Sequence, residues 1–177
     1  MFLIAAFLPS SKVFTISDPE KRIEIIYNMH GMFNFSQVLF GLGSIVTVIG
    51  LGMLIRNFKG VQFYNLAYAA LLIMFVGALL WSWHVTERML DPEGWVYGRN
   101  TPYIYVIYNI FTMIGLILIG LFLLKTSVAD WIGWMLTIGS ALFLILLIIL
   151  KDLPPFIYYV LTLTAALALY FSGKVVV

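Results

Sequence analysis

All of the charged residues in this chain, ten Lys or Arg and eight Asp or Glu, fall outside five long apolar runs. The runs cover 36–55, 61–83, 101–124, 131–150 and 153–173. Each is near the ~20 residues that a helix needs to cross ~30 Å of hydrocarbon. In lipid no water satisfies backbone N–H and C=O groups, so helix is the expectation for all five. Composition points the same way: 63% of the 177 residues are hydrophobic and 10% are charged, against ~25% charged in a soluble domain. A soluble fold of this size cannot hide that much apolar surface.

The connections between the runs are short. Residues 57–60 and 126–130 form tight turns, and Asp152-Leu153-Pro154-Pro155 makes a sharp stop and restart. Short connections imply antiparallel neighbours. The expectation is therefore an all-α integral membrane protein, an up-and-down bundle of five transmembrane helices preceded by an amphipathic interfacial helix. It forms a single helical membrane domain over 1–177, with 1–35 as the interfacial amino-terminal segment. Gly43, Thr47 and Gly50 share one face of the first span, which allows close helix approach.

Within 1–35, residues 1–8 are apolar but too short to span. They lie on the membrane surface or end a further helix. Ser17 and Glu20 have capping-box spacing, and Pro19 suits a first helical turn. From there Ile23, Ile26, Tyr27 and His30 fall on one face, with Gly31 and Asn34 marking the bend into the membrane.

Aromatic residues fall where two interfacial belts would put them. Trp81, Trp83, Trp95, Tyr97, Tyr103, Tyr105, Tyr158 and Tyr159 belong to one face; Trp131, Trp134 and Tyr64 belong to the other. The amino-terminal face carries six cations spread over long segments with seven of the acids. The opposite face packs Arg56, Lys59, Lys125 and Lys174 beside helix ends, with Asp130 alone against them. That density places the face bearing 1–35 and 84–100 outside the cytoplasm.

Several chemistries are excluded. There are no cysteines, hence no disulfides, thiolate catalysis, Cys-ligated zinc or Fe–S clusters. A net charge of +2 gives no argument for nucleic acid as a partner. No P-loop, dinucleotide fingerprint, nucleophile elbow or zinc-protease motif is present. The spans hold no ionisable residue for an ion or proton path, and no Lys for a retinal Schiff base. Asn109 is the span's polar residue to watch, as a donor to a neighbouring helix.

What remains centres on WSWHVTERMLDPEGWVYGRN, residues 81–100, with three of the five Trp and one of the two His. His30 precedes the first span and His84 ends the second, so an antiparallel pair puts both at one face. His84 and Glu87 stand three residues apart, on one helical face if the helix continues. The simplest reading makes both histidines interfacial residues hydrogen-bonded to nearby loops. A second makes His30, His84 and Glu87 ligands of a divalent metal, Zn or Fe. A third makes His30 and His84 the axial ligands of a haem, in a cofactor pocket that Trp95 helps to cover.

Five spans in an aromatic-rich chain of this length resemble the architecture of the tryptophan-rich sensory and translocator family. The Trp-Pro-Pro and Asn-x-x-Trp patterns of that family have no counterpart in matching places, and Pro154-Pro155 lacks its Trp. The resemblance implies porphyrin or lipid binding and transfers no site residues. The sequence reading is a non-enzymatic multi-pass membrane protein, an accessory or structural subunit whose partners are the lipid bilayer and other membrane subunits. The alternatives are a haem-, porphyrin- or lipid-binding protein with a pocket on the amino-terminal face, and a metal-dependent membrane enzyme.

Overall fold

A computed structural model describes residues 1–100, 102–126, 130–150 and 156–171. The order of elements is α1 (Phe2–Ala6), a 3-10 turn (Pro9–Phe14), α2 (Pro19–Asn28), α3 (His30–Arg56), α4 (Tyr64–Leu90), α5 (Pro92–Val96), α6 (Pro102–Leu123), α7 (Asp130–Leu150) and α8 (Phe156–Phe171). There is no strand among the described residues. Helices α3, α4, α6 and α7 are long and apolar enough to cross a membrane, and α8 is a shorter apolar helix. The protein is an all-α membrane bundle. The expected turn at Asp152–Pro155 lies outside the described residues, as does most of the one at 126–130.

Partner positions fix the helix directions. The Trp81 indole donates to the Phe40 carbonyl at 3.2 Å. Gly41 faces Ser82 and Val85, and Gly52 faces Leu71. Numbers on α4 fall as those on α3 rise, so the two helices run antiparallel. The same holds for α4 against α6, where Trp81 meets Tyr105, Gly77 meets Phe111, and Met74 meets Gly115. On α6 and α7, Gly120 faces Gly133 and Thr137, while Leu124 faces Gly133.

Among the described residues, the Gly43, Thr47, Gly50 face is approached closely at Gly43 but not at Gly50. A Cβ on Gly43 would meet α1, 3.2 Å from the Phe2 nitrogen, and among the described residues nothing lies within 4 Å of one on Gly50. The tight seam joins α6 and α7 instead. A Cβ on Gly120 would come within 2.7 Å of the Gly133 carbonyl oxygen, and one on Gly133 within 2.9 Å of the Gly120 oxygen. Backbone meets backbone there, as small residues permit in membrane helices.

Two compact units emerge, Met1–Val46 with Ala78–Ile107, and Thr47–Gly77 with the described part of Tyr108–Val177. In the second, Tyr108, Tyr158 and Tyr159 are buried, and the Tyr108 and Tyr159 hydroxyls bond at 2.9 Å. Tyr158 and Tyr159 are therefore core residues, not belt residues. Asn109 is buried as well. Trp131 and Trp134 are exposed, as a belt requires.

Candidate functional site

The first unit carries the stretch that stood out in sequence. α2 starts at an Asp18 cap, one residue beyond Ser17, whose carboxylate accepts from the Glu20 nitrogen at 3.0 Å. Pro19 occupies the first turn as expected. The break into α3 falls at Met29, with φ −123° and ψ 32°, and Gly31 and Asn34 lie within α3. Ile26 of α2 is fully buried against Val13, Phe33 and Val96, with Ile23 and Trp95 packed around them. This small apolar cluster joins the 3-10 turn, α2, the start of α3 and α5 into one cap.

α4 does not stop at Trp83 but runs on to Leu90. Its buried positions recur at helical spacing through Ala78, Trp81 and Val85, and the next position in that stripe is Arg88. Asp91 then caps the short α5, its side chain accepting from the Gly94 nitrogen at 2.8 Å. A Cβ on Gly94 would strike the Asp91 carboxylate, with Cγ 2.6 Å away, so a larger residue there displaces the Asp91 cap. The stretch from Glu87 to Asn100 is thus a continued helix, a cap and a short helix in place of a loop.

Arg88 is the centre of the arrangement. It is 7% exposed, and its guanidinium lies 5.2 Å from the Trp81 ring centroid, 4.8 Å from Trp95 and 5.7 Å from Phe14. All three distances are within cation–π range. Its Nη2 is 3.0 Å from His84 Nε2. A guanidinium has no acceptor, so Nε2 must accept and the neutral ring carries its proton on Nδ1. Nδ1 faces the Glu87 carboxylate at 3.9 Å, too long for a direct hydrogen bond. The other Glu87 oxygen accepts from the Trp83 indole at 2.9 Å.

The sequence-selected residues thus divide. His84 and Trp95 lie against Arg88, and Glu87 lies 3.9 Å from His84. His30 is exposed, and its Nε2 sits 3.4 Å from the Asn34 amide nitrogen. Among the described residues no three His, Asp or Glu side chains gather to hold a metal ion. Trp81, read as an interface anchor, is 2% exposed and belongs to the cage; Trp83, 61% exposed, keeps the anchor position. Arg88 escaped the sequence reading because the span was ended at His84. The signal was the seven-residue step from Trp81 to Arg88, which keeps one helical face.

Two hydrogen bonds lock the rim of the cap. The Tyr27 hydroxyl donates to Glu93 at 3.1 Å, and the Tyr97 hydroxyl donates to Glu20 at 2.6 Å. The bond to Glu93, then its charge, raises the Tyr27 pKa above the ordinary phenol value. The bond to Glu20 raises Tyr97 in the same way. Chemically, the site sets a cation among aromatic faces with a neutral imidazole as acceptor, and carboxylates against phenol and indole donors.

Compared with protein-family models, curated proteins and solved structures, the chain has no match. The architectural resemblance to the tryptophan-rich sensory and translocator family has no support at that level.

Proposed function

We propose that this protein is a non-enzymatic multi-pass membrane protein, an accessory or structural subunit that packs against other membrane helices. The observation that carries this reading is Arg88. The aromatic place that a planar ligand would take, between Trp81, Trp95 and Phe14, holds the chain's own guanidinium. His84 spends its acceptor nitrogen on the same group. Of the polar residues that suggested a cofactor pocket, His84 is engaged with Arg88, while His30 is exposed apart from it.

The outer surface supports the same role. Ile138, Leu142, Ile145, Ile149 and Trp134 of α7 are all exposed and recur on the helix, a face for lipid or a neighbouring helix. Native mass spectrometry of protein extracted in a mild detergent tests the proposal. The expected result is a stoichiometric complex with at least one other membrane subunit. A chain that is always recovered alone, or that shows a Soret band or tightly bound metal, refutes it.

A further inference from the structure

The second unit holds a groove of about 510 Å³ at the start of α4, the end of α6 and the start of α7. Phe63, Leu66, Leu121, Leu124 and Trp134 make its apolar walls. Lys125 and Asp130 complete the lining, the first just past the end of α6 and the second opening α7. Both are exposed, and among the described residues neither forms an ion pair. The groove therefore offers hydrocarbon surface together with one cation and one anion at the ends of membrane helices. Phospholipids have that same order, an acyl chain leading to a charged headgroup.

A second observation concerns Phe63. Its φ is +66°, in the left-handed region, which bulky side chains rarely enter and which strains the backbone. Its half-exposed phenyl ring lies on the groove wall. A glycine would make the same turn without it.

We infer that this groove binds one phospholipid whose headgroup carries both a phosphodiester and a primary ammonium. Lys125 meets the phosphate and Asp130 accepts from the ammonium, both as charge-assisted hydrogen bonds. A choline headgroup has the same charges but no N–H to donate. A glycerol headgroup has no cation and leaves Asp130 beside a phosphate of like charge. The site is independent of the Arg88 cap and of the accessory-subunit reading.

The test is native mass spectrometry of the detergent-solubilised protein with ethanolamine-, choline- and glycerol-headgroup phospholipids of identical acyl chains. The wild type should retain the ethanolamine lipid about three- to fivefold better than the other two, the scale of one exposed charge pair. Asp130→Asn should bring ethanolamine retention down to the choline level. Lys125→Gln should lower retention of all three. Phe63→Gly relieves the backbone, so the protein should melt no lower than wild type while losing lipid. Equal retention of the three headgroups by the wild type overturns the inference, as does an unchanged preference in Asp130→Asn. If the groove receives a partner's helix instead, retention will ignore the headgroup and the Phe63→Gly protein will shed that partner; either result also overturns it.

Discussion

Arg88→Met is the most informative single change. Methionine keeps an unbranched stem of comparable reach and deletes the charge, so packing is largely retained. The hydrogen bond to His84, with one charged partner, is worth ~1.5–3 kcal/mol. The contacts with Trp81 and Trp95, at 5.2 and 4.8 Å, add about 0.5–2 kcal/mol each, the upper end applying where water is excluded. Against them stands the loss of hydration of a guanidinium that is 7% exposed, a cost of several kcal/mol that methionine does not bear. The balance predicts a net destabilisation of about 1–3 kcal/mol. Arg88→Lys should fall between, since it keeps the charge but loses the planar fork. Chemical denaturation in detergent, followed by Trp emission, measures the loss. Proteolysis within residues 1–28 should accelerate in parallel, because Arg88 ties Phe14 and Trp95 of the cap to α4. If Arg88→Met is as stable as wild type or more so, desolvation outweighs the contacts and the charge does not hold the cap.

Three further outcomes follow from the same geometry. The Tyr27 and Tyr97 pKa values are raised in the folded protein, so their contribution is complete below the unfolded value of ~10 and disappears as pH rises through the folded values. Hydrogen exchange or proteolysis should show the cap loosening in that alkaline window, and Tyr27→Phe with Tyr97→Phe should abolish the pH step. Gly133→Ala pushes a methyl group into the Gly120 carbonyl and should destabilise the α6–α7 seam by about 1–3 kcal/mol, read as a lower melting temperature in detergent. Asp18→Ala removes the cap of α2 and should cost about 1 kcal/mol, confined to faster amide exchange at Glu20 and Lys21.

The helical class was legible because it depends on one coarse property, the separation of charge from apolar length. Its fine structure was not, because polarity and burial part company at the ends of the helices. His84 and Arg88 look like the close of a span, yet both are buried and α4 runs beyond them. Tyr158 and Tyr159 look like belt residues from their place near the start of a span, yet they are buried, with the Tyr159 hydroxyl bonded to Tyr108. A phenol or an indole has an apolar body and a polar tip, so residue type does not say whether it faces headgroups or another helix. Partner geometry decides, and that is tertiary information. The glycine seam was missed for a related reason. Glycines occur on α3 as on α6, and only the neighbour's backbone makes Gly120 and Gly133 necessary.

The two units use charge differently, and this separates the proposals experimentally. In the first, Arg88, Glu87, Glu93 and Glu20 each hold a side-chain partner. Groups engaged in this way have little left for a ligand, so their removal should lower stability and leave lipid selection unchanged. In the second, Lys125 and Asp130 line the groove and make no ion pair among the described residues. Their replacement should change lipid selection and leave stability within about 0.5 kcal/mol, as for ordinary surface positions. If the two sites act separately, the effects of Arg88→Met and Asp130→Asn on stability add within about 0.3–0.5 kcal/mol.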